Sequence, residues 1–117
     1  MARILICEPH DDTIALLELV VRRLGHQPLV YVAGDPEALD VDAAVIEPGD
    51  DACLQMARQL RVRGIPVLFT SIYPPEAETL ELAPAAYLVK PFPLYALERA
   101  LEEALVPAAH SASAAAL

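Results

Sequence analysis

The sequence predicts an α/β domain built on a mainly parallel, five-stranded sheet with helices on both faces. Three observations predict it. Short apolar runs with little polar alternation, as suits strands covered on both sides, recur along the chain. Between them lie stretches whose apolar residues return every three or four positions, the period of a helix. The two kinds of segment alternate, which implies strand–helix–strand units with right-handed crossovers.

Each element can be justified in order. "RILIC", Arg3 to Cys7, is the first strand and ends at Glu8. Ile14, Leu17, Val21 and Leu24 line the first helix, with Asp11 and Asp12 as its expected caps and Arg22, Arg23 and Gly25 closing it. "PLVYV", Pro28 to Val32, is a second strand, placed at an edge because proline cannot donate to a ladder. "GDPEAL" has room for one helical turn. The third strand, Ala43 to Ile46, delivers Glu47 and stops on Pro48 and Gly49. A helix from about Asp51 to Arg63 carries Leu54, Ala57 and Leu60 and ends at Gly64. "IPVLFT" is the fourth strand, with Pro66 near its start. "PPEAETLEL" reads as a short helix with Pro75 in its first turn. "AAYLV" is the fifth strand, and Leu94, Leu97, Leu101 and Leu105 mark one face of a final helix. The domain thus covers residues 1–105, and the alanine-rich segment 106–117 reads as a flexible tail.

Composition narrows the function. A chain of 117 residues with 56% hydrophobic content can bury one core of its own. Seventeen acidic against eight basic residues give a net charge of -9, which repels a phosphate backbone and argues against a nucleic-acid partner. "MARILICEP" is too short for a signal peptide, and no uncharged apolar run approaches ~18 residues, so a soluble cytoplasmic protein with no membrane contact is expected. Cys7 and Cys53 lack metal-ligand spacing and read as reduced packing residues.

In parallel sheets of this kind the site lies beyond the carboxyl ends of the strands. That rule gathers Glu8, Glu47, Thr70, Ser71 and Lys90 at one end. The motifs holding them are "ILICEP", "AAVIEP", "PVLFTS" and "AYLVKPF". Through them, over residues 2 to 105, the chain resembles the receiver domain of two-component response regulators. The resemblance implies a flavodoxin-like three-layer sandwich with strand order 2-1-3-4-5, acting as a stand-alone signalling domain and not as an enzyme. It implies protein partners, either a histidine kinase or a downstream effector. In the family a phosphohistidine donates to an aspartate, magnesium held by acids neutralises the charge, and a lysine steadies the phosphoryl oxygens. A hydroxyl and an aromatic then report the change. Carried over by position, Glu8 is the first metal-binding acid, Glu47 the phosphoacceptor equivalent, Ser71 the switch hydroxyl, Tyr87 the switch aromatic and Lys90 the pocket lysine. The Lys90–Pro91 peptide resembles one that is cis in receivers. The family's fourth helix, fifth strand and fifth helix form a common contact face, which here implies a homodimer surface including Tyr87, Tyr95, Glu98, Arg99 and Glu102.

The departures from the family pattern decide the expected mechanism. Glu47 replaces aspartate, and its extra methylene moves the carboxylate by roughly 1 Å, a misplacement that can lower a rate about a hundredfold. Pro9 stands where a second metal-binding acid is expected, and magnesium needs near-octahedral oxygen geometry, so metal binding by Glu8 and Glu47 is expected to be weak or absent. Ile72 replaces a small residue and crowds the approach to the site. Glu8 and Glu47 repel one another unless a cation lies between them, and Lys90 is the local candidate. The sequence therefore predicts a pseudo-receiver with a Glu47–Lys90 ion pair, acting without phosphorylation and without a cofactor. A glutamate carries one negative charge where a phosphoaspartate carries nearly two, which limits mimicry. Two alternatives remain at this level: a phosphorylatable receiver, and a flavodoxin-like small-ligand module. Pro9 and His10, where a glycine-rich loop would be needed, count against the second. His10, Asp11 and Asp12 read as a helix start and not as a metal cluster.

Overall fold

Successive side chains of a strand point to opposite faces, and in this chain both faces are apolar. The computed structural model describes residues 1–106; the expected tail, apart from Val106, lies outside the described residues. Five strands, β1 (Arg3–Cys7), β2 (Gln27–Val30), β3 (Ala43–Ile46), β4 (Val67–Ser71) and β5 (Ala86–Val89), pair in parallel in the order β2-β1-β3-β4-β5. Four helices accompany them: α1 (Asp11–Arg23), α2 (Asp51–Val62), α3 (Ala77–Leu80) and α4 (Leu94–Leu105). "GDPEAL" forms a single 3-10 turn at Pro36–Leu39. This is the expected architecture and strand order, and β2 lies at an edge, where Pro28 leaves no ladder bond unmade.

The pleat divides the core in two. Leu5, Cys7, Ala44, Ile46, Val67 and Phe69 face α2, meeting Cys53, Met56, Ala57 and Leu60. Ile4, Ile6, Ala43, Val45 and Leu68 face α1 and α4, meeting Leu17, Val20, Val21, Leu97 and Leu101. A right-handed parallel sheet covered on both sides in this way needs apolar residues at every position of its central strands, which is why the runs show no alternation.

Local chemistry sets the element ends. After α1, the His26 and Gly25 N–H groups donate to the Val21 and Arg22 carbonyls at 3.1 and 2.9 Å, with Gly25 at φ 83°. Ile65 and Gly64 repeat the arrangement after α2. These are Schellman closures, and the positive φ is why glycine stands there. Two expectations need correction. Asp11 and Asp12 are not caps: His10 occupies the cap position, and the two aspartates lie in the first turn, where they complement the positive end of the helix dipole. Pro75 lies outside α3, which begins after Glu76, because Thr79 reciprocates hydrogen bonds with Glu76 in a capping box. Among the described residues no helix is long and apolar enough to cross a membrane.

Candidate functional site

Register brings the site together. Cys7 pairs with Ile46, so the next residues, Glu8 and Glu47, leave the sheet side by side, and the Glu47 N–H donates to the Cys7 carbonyl at 2.9 Å. β5 runs two strands away and delivers Lys90, whose N–H donates to the Ser71 carbonyl at 2.7 Å. The Lys90–Pro91 peptide is cis.

From these positions the Lys90 ammonium reaches both acids. Its Nζ lies 3.4 Å from Glu8 Oε2 and 3.3 Å from Glu47 Oε2. The Glu8 side chain is 1% exposed, Glu47 12% and Lys90 21%, so the pairs sit in a partly desolvated place where a charge needs a partner. The remaining carboxylate oxygens are also engaged. Glu8 Oε1 lies 3.1 Å from His10 Nδ1, and Glu47 Oε1 accepts from the Gly49 N–H at 3.1 Å. A Cβ on Gly49 would stand 2.8 Å from that same Glu47 oxygen, so the turn requires a residue without a side chain to bring its N–H this close.

Glu8, Glu47 and Lys90 thus meet as the strand-end rule anticipates. Thr70 and Ser71, expected just beyond β4, are its last two residues and are buried. Ser71 does not touch the carboxylates: its Oγ accepts from the Tyr73 N–H at 3.2 Å, shaping the following turn. Tyr87 is half-buried, with its ring 6.1 Å from that of Phe69 and its hydroxyl donating to the Tyr73 carbonyl at 2.9 Å. Ser71 and Tyr87 share a recess of about 90 Å³ beside the acid site. A larger cleft of about 440 Å³, lined by Glu47, Lys90, His10, Gly49, Ile72 and Tyr73 among others, opens directly over it.

Sequence reasoning missed His10 and Gly49. The ring of His10 makes no cap bond and turns instead to Glu8, two residues back; Gly49 registers in the sequence only as a turn residue. The spacing Glu-x-His past a strand was the available signal for the first.

The donor set fits magnesium poorly. Pro9 offers no carboxylate, the four oxygens of Glu8 and Glu47 already accept from Lys90, His10 and Gly49, and no three potential ligand side chains converge among the described residues.

No protein-family model matches the sequence, and comparison with curated proteins finds no match. Comparison with solved structures is decisive for the architecture. The fold is that of a response-regulator receiver domain. A putative response regulator from Chloroflexus aurantiacus is 26% identical, with a TM-score of 0.72 over 89% of this chain and 97% of that one. The chemotaxis protein CheY4 of Vibrio cholerae gives a TM-score of 0.74 at 15% identity, covering 90% of this chain and 99% of the other. The receiver domain of a sensor histidine kinase from Pseudomonas aeruginosa, whose structure has a magnesium ion coordinated in the active-site cleft, gives 0.69 at 22% identity over 89% and 97%. α3 lies between β4 and β5 and α4 follows β5, so by chain order they take the places of the fourth and fifth helices that the resemblance implies.

Proposed function

We propose that this chain is a receiver-like signalling module of the two-component type whose state is fixed by Lys90 and not set by phosphorylation, and that it acts in the cytoplasm through protein contacts. The observation that carries the reading is the position of the Lys90 ammonium, within 3.4 Å of both Glu8 and Glu47. To attack a phosphoryl donor, one Glu47 oxygen would have to leave either Lys90 or the Gly49 N–H, and the glutamate carboxylate extends further than an aspartate's. Ile72, 63% exposed, lines one side of the cleft over Glu47.

Partners in this reading are a histidine kinase or an effector, bound without phosphoryl transfer. Leu80, Val89 and Tyr95 stand exposed on α3, β5 and α4, which supports that face as a contact surface, including one between two copies.

Incubation with acetyl phosphate and magnesium followed by intact-mass measurement tests the reading. No adduct is expected on the native chain; a stoichiometric gain of one phosphoryl group, lost with Glu47→Gln, would sink it.

A further inference from the structure

The cleft over the acid site is negatively charged, walled by exposed apolar side chains and short of cations. Ile72 and Tyr73 are 63% and 64% exposed along one side. Glu47 on its floor and Glu8 buried beneath share the one ammonium of Lys90, and Asp50, whose Oδ1 caps α2 by accepting from the Cys53 N–H at 3.0 Å, adds a further carboxylate at the rim. All eight lysines and arginines are among the described residues, and Lys90 alone lies at this end. Arg3, Arg22, Arg23, Arg61 and Arg63 sit where strands begin or helices finish, at the opposite end, while Arg58 and Arg99 sit mid-helix. Such a distribution steers cations toward the cleft and repels phosphate-bearing ligands.

Aspartates in first turns answer the helix dipole, which accounts for Asp11, Asp12 and Asp51 without any ligand. That account does not extend to Ile72 and Tyr73, which leave the sheet after β4 and present their side chains to solvent. An exposed aromatic face next to carboxylates that outnumber the one ammonium among them suits a guanidinium, which stacks on the ring and adds its own donors to acids that each already hold at least one partner. A space of about 440 Å³ also exceeds what a bare ion needs and suits a side chain with its flanking backbone.

We propose that this cleft receives an arginine-bearing segment of a partner protein, with the guanidinium between the Tyr73 ring and the Glu47 and Asp50 carboxylates. The proposal rests on the fixed-pair reading, because magnesium and a phosphoryl group would change the charge of the floor.

The probe is a synthetic nonapeptide of alternating arginine and leucine, with its glutamate-for-arginine counterpart as control, titrated into the full ¹⁵N-labelled chain at physiological salt. Amide shifts are expected to cluster at His10 to Thr13, Gly49, Asp50, Ile72 and Tyr73, with none from the control. Tyr73→Ser, which leaves the backbone carbonyl bound by Tyr87 in place, should weaken binding about tenfold, whereas Tyr95→Ser should not. Shifts spread over the acids of α4, unchanged affinity in Tyr73→Ser, displacement of the peptide by millimolar magnesium, or occupation of the cleft by a second copy on sedimentation would each overturn it. A phosphoryl adduct in the acetyl phosphate experiment would overturn the fixed-pair reading instead and leaves the peptide result to be judged by itself.

Discussion

Lys90 holds two carboxylates at once, so its removal strands Glu8, whose side chain is 1% exposed. Lys90→Met should lower stability by about 1–3 kcal/mol, a figure reduced from that of a fully buried pair because the lysine is partly solvated. Urea unfolding at pH 7 would check it, and an unchanged midpoint would show the pairs to be energetically idle. Gly49→Ala should displace the Glu47 carboxylate without breaking the turn, since Gly49 does not have the positive φ of Gly25; a change in the Lys90 side-chain NMR signal with little loss of stability is the expected outcome. Cys53 gives the pH dependence. The adjacent Cys7 thiol, then burial, then Asp50 hold its thiol far above the ordinary value of 9.0. Above that value an unfolded chain releases the proton while the fold retains it, so stability falls as pH rises, by up to about 1.4 kcal/mol per pH unit. Cys53→Ala should flatten the decline between pH 9 and 10, as measured by denaturant midpoints. At this scale Glu8, Glu47 and Lys90 were legible because strand ends announce themselves in sequence. His10 and Gly49 were not, because their roles depend on where a ring turns and how closely a backbone N–H approaches.

At the scale of elements, the helices show how local chemistry and packing divide the work. α4 is fixed by burial, with Leu97 and Leu101 fully enclosed against the sheet, so Leu101→Ala should cost about 2–5 kcal/mol in a thermal or urea melt. The short α3 is held by its capping box, and Ala83, just beyond it, has φ 50°. Ala83→Gly should therefore stabilise the fold by up to about 1 kcal/mol; a destabilised variant would mean that the methyl group matters more than the backbone conformation. Periodicity located α1, α2 and α4, the proline-led "PPEAETLEL" pointed to the short α3, and glycine marked the ends of α1 and α2. The start of α2 was placed at Asp51, but those of α1 and α3 were not: proline and aspartate are compatible with several positions near a first turn, and only the reciprocal bonds of Thr79 and Glu76, or the turning of His10 toward Glu8, select one.

For the whole molecule, the two ends of the sheet differ in charge, and proline, present at the opposite end as Pro66 and Pro84, is more abundant around the acid site. Every loop bordering the acid site carries proline: Pro9 after β1, Pro48 after β3, Pro74 and Pro75 after β4, Pro91 and Pro93 after β5. Each fixes a backbone φ and lowers the number of conformations a loop can explore. Rigid loops over a salt-bridged floor are poorly suited to a structural change triggered by one added group. Under the proposed reading, no covalent mark is written on the module or erased from it. Its influence on a partner then follows mass action alone, rising with the number of copies synthesised and ending only when they are diluted or degraded.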